Sequence, residues 1–167
     1  MIREIVPLDK DHDRTGFNCG EEALNKYLQE TARQHIDKGI SKTFVCVDTN
    51  SPEKILGYFT LAICEVVTEG VPKKYAKRLP SKVPAAKLGR LAVSVECQGQ
   101  GLGGILMADA MKRTIALADN FGIVGFFVDA KNDRAKRFYE GYGFIALQSN
   151  PLTLFLPLAT LVEASNS

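Results

Sequence analysis

Long apolar runs are absent from the 167-residue sequence. No stretch approaches the roughly 18 consecutive apolar residues that a membrane-spanning helix requires. The opening residues, MIREIVPLDK, also lack the basic-then-apolar order of a signal peptide. We therefore expect a cytoplasmic protein that has no membrane partner.

Metal-ligating residues are scarce and scattered. The four cysteines form no C-x-x-C pair, and neither of the two histidines lies at ligand spacing from a cysteine. This pattern excludes the usual zinc spacings, so we expect no metal. Cys46 and Cys64 lie in apolar, strand-like runs, where a reduced thiol serves as a small core residue.

Acidic residues are missing from one long stretch, residues 71–90. Its sequence, VPKKYAKRLPSKVPAAKLGR, carries seven basic side chains, which leaves 14 of the 21 Lys and Arg residues to face all 19 acidic residues elsewhere. The positive charge of the protein is therefore concentrated in this one segment. Composition alone leaves open whether it is a solvated, proline-punctuated connection or a surface that binds a polyanion.

The hydrophobic pattern predicts interleaved helices and strands in a single domain, residues 1–167. A first helix is predicted over FNCGEEALNKYLQETARQHIDKG, with Asn18 and Glu21 at capping-box spacing and Gly39 as its stop. Three further helices are expected around residues 74–79, over residues 102–121 and after Asn132. The predicted strands are IREIV, KTFVCVDT, ILGYFTLAICEVV, AKLGRLAVSV, IVGFFVDA, GFIALQ and LTLFLPLATLV. The fold class is α/β with a mixed sheet.

Four glycines fall within residues 96–104, ECQGQGLGG, between a predicted strand and the long helix. Small residues in such a loop let backbone N–H groups converge on an anion, and the helix adds its positive end. A P-loop is excluded because G-x-x-x-x-G-K-[ST] is absent. The residues from Gly99 to Gly104 also satisfy the dinucleotide pattern G-x-G-x-x-G. However, Asp119 falls within the helix, whereas that pattern places its acidic residue after the next strand.

Starting from Gln98, the same loop reads Q-x-x-G-x-G and resembles motif A of the GNAT N-acetyltransferase superfamily, which holds the pyrophosphate of coenzyme A. Downstream, DAKNDRAKRFYEGYGF is similar to the GNAT pattern N-x-x-A-x-x-[FL]-Y-x-x-x-G-F, with Asn132 first and Phe144 last. The opening FNCGEEALNKYL resembles the F-x-C-G-x-x-x-L-x-x-Y-L start of the GNAT toxins of bacterial toxin–antitoxin modules. The tail SNPLTLFLPLATL resembles their ending, so the similarity covers nearly the whole chain.

This resemblance implies a GNAT fold, a central mixed and largely antiparallel sheet flanked by helices. It also implies an enzyme that moves acetyl from acetyl-CoA to the α-amino group of the amino acid on charged tRNA, which blocks translation. The partners implied are charged tRNA and a small ribbon-helix-helix antitoxin. The apolar tail leaves a homodimer open.

The resemblance assigns roles to residues of this chain. Tyr139 would give a proton to the departing coenzyme A thiolate. Asn132 would touch the cofactor arm, and an N–H near Val93 would face the acetyl oxygen. The full set implied to bind the cofactor is Leu91, Ala92, Val93, Gln98, Gly99, Gln100, Gly101, Leu102, Gly103, Gly104 and Asn132.

A general base is not evident. His12 and His35 are predicted to be solvated, and Glu65 and Glu96 are predicted to be surface residues. An α-amine, with a pKa of about 7.7 to 8.0, sheds its proton far more readily than a lysine with a pKa of about 10.4. The missing base therefore favours an α-amine acceptor, with water carrying the proton.

Given the resemblance, the basic segment is interpreted as an RNA-binding surface, because Lys and Arg neutralise phosphates without reading sequence. The candidate RNA-binding residues are Lys73, Lys74, Lys77, Arg78, Lys82, Arg90 and Arg33. Two other functions stay open. One is a GNAT enzyme that acts on a small amine or a protein N-terminus. The other is a non-catalytic module that binds acyl-CoA or a partner protein, in which Tyr139 would be idle.

Overall fold

The computed structural model describes residues 2–165 and shows a mixed sheet flanked by helices. Its seven strands are β1 Arg3–Pro7, β2 Lys42–Asp48, β3 Ser51–Val67, β4 Lys82–Val93, β5 Gly125–Asp129, β6 Ile145–Ala146 and β7 Thr153–Pro157. They lie in the order β1-β2-β3-β4-β5-β7-β6. The pair of β4 and β5 is parallel, whereas β1/β2, β2/β3, β5/β7 and β6/β7 are antiparallel. The expected mixed, largely antiparallel sheet is therefore confirmed.

Six α-helices and one π-helical turn accompany the strands in the described chain. None of these helices is long and apolar enough to cross a bilayer. The helices are α1 Glu22–Lys26, the π turn Tyr27–Thr31, α2 Ala32–Asp37, α3 Lys73–Ala76, α4 Leu102–Ala118, α5 Asp133–Glu140 and α6 Leu158–Ser165.

The described residues divide into two compact units. The first unit comprises residues 2–62 and 89–110, and the second comprises residues 63–88 and 111–165. Each unit has its own buried apolar cluster.

The first unit packs α1, the π turn and α2 on the sheet. Leu28, Val45 and Tyr58 are fully buried there, with Ala92 of β4 beside them. Two carbonyls of this helical segment accept hydrogen bonds from side chains outside it. The Tyr58 hydroxyl donates to the Leu24 carbonyl at 2.7 Å, and further along the Arg14 guanidinium donates to the Gln29 carbonyl at 2.9 Å.

The start of the first helix differs from the sequence prediction. The helix begins at Glu22, its N-cap residue is Glu21, and no side chain caps it. The predicted cap at Asn18 is wrong, because the Asn18 side chain instead accepts from the Gly20 N–H at 2.9 Å and from the Asn25 amide at 3.0 Å. The predicted stop is confirmed, since Gly39 has a φ of 72° and follows the C-cap residue Lys38.

The second unit is built on the parallel pair and on β7. Ala86, Lys87 and Leu88 lie opposite Phe126, Phe127 and Val128. The rings of Phe127 and Phe155 stack at 4.7 Å in the core of this unit.

The predicted final strand LTLFLPLATLV is only half correct. β7 ends at Pro157, which lacks a backbone donor, and α6 begins at Leu158. Leu161 of α6 is completely buried whereas Val162 is 38% exposed, so the helix turns only one side of this apolar run inward.

Candidate functional site

The glycine loop, residues 98–101, connects a 3₁₀ turn, Val95–Cys97, to the first turn of α4. Gly99 and Gly101 have φ values of 78° and 79°, which L-residues rarely adopt. A Cβ at either position would meet nothing within 4 Å, so backbone conformation alone requires glycine there. Such a loop before a helix N-terminus presents its N–H groups to an anion.

Two glutamines brace this loop from within. The Gln98 amide donates to the Cys19 carbonyl at 2.9 Å and to the Val93 carbonyl at 3.0 Å. Gln100 accepts from the Arg3 guanidinium at 3.1 Å and donates to the Glu96 carbonyl at 3.3 Å. Both side chains thus hold the loop in shape, and its backbone N–H groups are the candidate ligands.

The opening FNCG segment lies against the same loop. The Asn18 carbonyl accepts from the Val95 N–H at 2.8 Å, and the Cys19 N–H donates to the buried side chain of Asn25 at 2.9 Å. Sequence reasoning missed this contribution of Arg3, Asn18 and Cys19 to the site. The only signal was that the F-x-C-G pattern and motif A occur in the same chain.

Six further cofactor candidates lie on β4 and α4 of the first unit. Ala92 and Leu102 are buried, so they can offer only backbone groups, while Leu91 and Val93 are half-buried. Gly103 and Gly104 belong to the first turn of α4.

Asn132 is the N-cap residue of α5 and Tyr139 lies within this helix, both in the second unit. The Asn132 side chain accepts from the Ala135 N–H at 2.9 Å and caps the helix, as the sequence predicted for the start of α5. The Tyr139 ring is 8% exposed and packs edge-on against Phe138 and Phe144. Burial raises the pKa of Tyr139 from 10.0 to about 12, so near neutral pH the phenol holds its proton and can donate it.

The side chains considered as bases are engaged locally. Glu96 pairs with Lys54 at 2.8 Å, and Glu65 lies 4.0 Å from Lys82. His12 is wrongly predicted as solvated, because its side chain is only 7% exposed and its Nδ1 accepts from the Asp9 N–H at 3.1 Å.

Sequence reasoning missed one carboxylate, Asp129 at the end of β5. It accepts from Lys87 at 2.7 Å and from the Thr153 hydroxyl at 2.8 Å. Partial burial raises the pKa of Asp129, but these two hydrogen bonds outweigh it and the net pKa is lowered. Asp129 is therefore a weak base that neutralises Lys87.

Residues 71–88 of the basic segment belong to the second unit. Val71, Tyr75 and Ala76 pack into its apolar cluster, and the Thr68 hydroxyl donates to the Pro80 carbonyl at 2.9 Å. The cationic side chains from Lys73 to Lys82 are exposed on this anchored support, whereas Lys87 is half-buried. Lys73, Lys74 and Lys77 line one concave surface, and Arg78 and Lys82 are also exposed.

The last two RNA-binding candidates belong to the first unit. Arg33 lies half-buried on α2. Arg90 on β4 lies with its guanidinium carbon 3.6 Å from the centroid of the Tyr27 ring.

Comparison with known proteins decides the family. Residues 8–153 match the Acetyltransferase (GNAT) domain. The chain belongs to the GNAT acetyltransferase family. The expected fold, the expected enzyme class and the expected cofactor, acetyl-CoA, are thereby confirmed.

Three matches, to two different proteins, show which GNAT proteins this acetyltransferase is similar to. It is 35% identical to the tRNA-acetylating toxin of Mycobacterium tuberculosis over 86% of this chain and 85% of that protein. It superposes on AtaT complexed with acetyl-methionyl-tRNAfMet with a TM-score of 0.90, 35% identity and coverage of 99% of this chain and 100% of that one. A tyrosine-to-phenylalanine mutant of AtaT, bound to acetyl-CoA and the C-terminus of the antitoxin AtaR, matches with a TM-score of 0.82, 32% identity and 99% coverage of both chains.

Proposed function

We propose that this acetyltransferase moves the acetyl group of acetyl-CoA to the α-amino group of the amino acid carried by a charged tRNA and so acts as a translation-blocking toxin. The observation that carries this proposal is the similarity along the whole chain to a solved toxin complexed with an acetylated aminoacyl-tRNA. The relative described as a tRNA-acetylating toxin supports the same substrate class. A cytoplasmic location follows from this substrate.

The cofactor diphosphate is proposed to bind the backbone N–H groups of residues 98–104. The positive φ values of Gly99 and Gly101 and the bracing by Gln98 support a loop that is formed before the ligand arrives. Leu91, Ala92 and Val93 are proposed to bind pantetheine through their backbone, with the Val93 N–H toward the acetyl oxygen. Asn132 is proposed to line the cofactor arm, although its side-chain oxygen is already used as a helix cap.

Tyr139 is proposed as the general acid. The free α-amine attacks the thioester carbonyl, the C–N bond forms, and the C–S bond breaks as the phenol protonates the thiolate. A proton leaves the new amide nitrogen to water, and the phenol then regains its own proton from water. Near neutral pH the phenol carries its proton, which is therefore available for this step.

Charged tRNA is proposed to bind the cationic residues through its phosphates. The anchored, outward-facing side chains of Lys73, Lys74, Lys77, Arg78 and Lys82 support this role, and Arg90 and Arg33 are proposed to join them.

We also propose one acetyltransferase domain over the whole chain, since the family match runs through residues of both units. A ribbon-helix-helix antitoxin is the proposed regulator, supported by the similar toxin bound to an antitoxin segment.

Acetyl transfer measured with labelled acetyl-CoA tests the function. Bulk charged tRNA, polyamines and short peptides serve as parallel acceptors. We expect label on the aminoacyl ester of tRNA and none on the other acceptors. Label only on polyamines or peptides would support the small-amine or N-terminal alternative, and binding of acetyl-CoA without transfer would support the non-catalytic module.

A further inference from the structure

The contact between Arg90 and Tyr27 joins β4 to the π turn within the first unit. The Arg90 guanidinium carbon lies over the Tyr27 ring, 3.6 Å from its centroid. At this distance the cation contacts the electron-rich face of the ring. A flexible side chain is thereby restricted to one region of space before any ligand binds.

Tyr27 is itself fixed in place. Its side chain is 6% exposed, and its hydroxyl shares hydrogen bonds with His35 Nδ1 at 3.1 Å and with Ser41 Oγ at 3.2 Å. The π turn widens the helix here, with the Ala32 N–H bonded to the Tyr27 carbonyl, and both Tyr27 and the adjacent Leu28 point inward. Such π turns occur frequently at functional sites.

Arg90 is half-buried, and its donors have no protein partner. Across residues 2–165, its guanidinium makes neither a hydrogen bond nor an ion pair. An aromatic ring covers a face of the guanidinium, while its five N–H donors lie in the plane of the group. These donors therefore remain free for a ligand, and their fork geometry fits a phosphate.

We propose that Tyr27 is a positioning residue, which holds the Arg90 guanidinium as a preformed phosphate-binding group for the RNA acceptor. This inference rests on the proposed function. The exposed lysines of α3 attract RNA through flexible point charges, whereas a stacked arginine contributes one contact of fixed geometry.

Steady-state kinetics with charged tRNA tests this proposal, with the KM for each substrate and kcat measured over a salt series. Arg90→Ala is expected to raise the KM for tRNA about tenfold. It should also reduce the slope of log KM against log salt by about 0.7 to 0.9, the value for one lost phosphate contact. Tyr27→Leu changes no charge but is expected to cause the same two effects. Neither variant should change the KM for acetyl-CoA.

The double variant Tyr27→Leu/Arg90→Ala separates positioning from a general loss of structure. It is expected to match Arg90→Ala alone, because the ring acts only through the guanidinium. Tyr27→Phe keeps the ring and is expected to keep the KM for tRNA within about threefold of wild type. Lys112→Ala, on the exposed side of α4, is the control for loss of one cation and should change neither quantity.

The inference would be overturned if Tyr27→Leu left the salt slope unchanged. It would also be overturned if the double variant raised the KM for tRNA by the product of the two single effects. If Tyr27→Leu does not fold, Arg90→Lys decides, because it retains the charge and loses the stacked fork. A KM near that of Arg90→Ala supports the proposal, and a wild-type KM overturns it. If the wild-type enzyme does not acetylate charged tRNA, the proposed function itself fails, and the variants are not needed to show it.

Discussion

Tyr139 is the residue on which the proposed chemistry depends. Replacing it with Phe removes only the hydroxyl, because the ring can keep its contacts with Phe138 and Phe144. We expect kcat to fall about 100-fold or more, with the Kd for acetyl-CoA and the melting temperature little changed. Initial rates, calorimetry and a thermal melt measure these three quantities. Wild-type turnover in Tyr139→Phe would remove the proposed acid.

The raised pKa of Tyr139 also fixes the pH dependence. In the unfolded chain this phenol ionises near its ordinary pKa of 10.0, whereas in the folded enzyme it ionises at about 12. The stability that burial gives the neutral phenol is therefore present below pH 10 and is lost as the pH rises toward 12. For catalysis, kcat/KM should rise as the substrate amine deprotonates near pH 8 and then stay level to about pH 10. A decline centred between pH 9 and 10 in the rate profile would contradict this assignment.

The glycine loop depends on backbone conformation. Gly101→Ala would force an L-residue to a φ of 79°, which costs about 1 to 2 kcal/mol or a change of loop shape. We expect the Kd for acetyl-CoA to rise about tenfold or more, measured by calorimetry. Gly122→Ala is the matched control, because its Cβ would also meet open space and its φ is not positive. Equal cofactor affinity in both variants would show that the loop does not hold the diphosphate.

The opening segment and the glycine loop are joined by Gln98. Gln98→Glu preserves size but replaces the two donated hydrogen bonds with a charge beside the Cys19 and Val93 carbonyls. We expect a loss of about 1 to 3 kcal/mol in unfolding free energy, or several degrees in melting temperature. The affinity for acetyl-CoA should fall as well, because the loop loses its brace. A melting curve identical to that of wild type would mean that the Gln98 hydrogen bonds do not stabilise the glycine loop.

At the scale of the whole molecule, charge is concentrated in residues 71–90. The double reversal Lys77→Glu/Arg78→Glu is expected to raise the KM for charged tRNA at least tenfold while leaving the KM for acetyl-CoA unchanged. Lys10→Glu/Lys112→Glu makes the same change of net charge at exposed positions outside this segment. Activity should also fall steeply with added salt. A flat salt response, or equal effects of the two double variants, would argue against RNA binding by the basic segment.

Local patterns predicted the elements well and their ends less well. Alternating and continuous apolar runs located the strands, and Asn132 and Gly39 marked helix ends that the structure confirms. The prediction that Asn18 caps the first helix failed because Asn and Asp side chains also form hydrogen bonds in turns. Here the Asn25 amide donates to the Asn18 side-chain oxygen. The prediction for the C-terminal segment failed because β7 and α6 share one apolar run. Hydrophobic periodicity alone does not show where the strand ends and the helix begins.

The sequence by itself determined the family, the cofactor and the glycine loop. These rest on motifs whose residues are close in the chain, and the φ values at Gly99 and Gly101 are a local requirement of the backbone. Only the tertiary structure decided that Gln98 reaches Cys19, that Arg90 lies on the Tyr27 ring and that Asp129 neutralises Lys87. Each of these contacts joins residues far apart in the chain, and strand pairing and core packing bring them together, which no local pattern encodes.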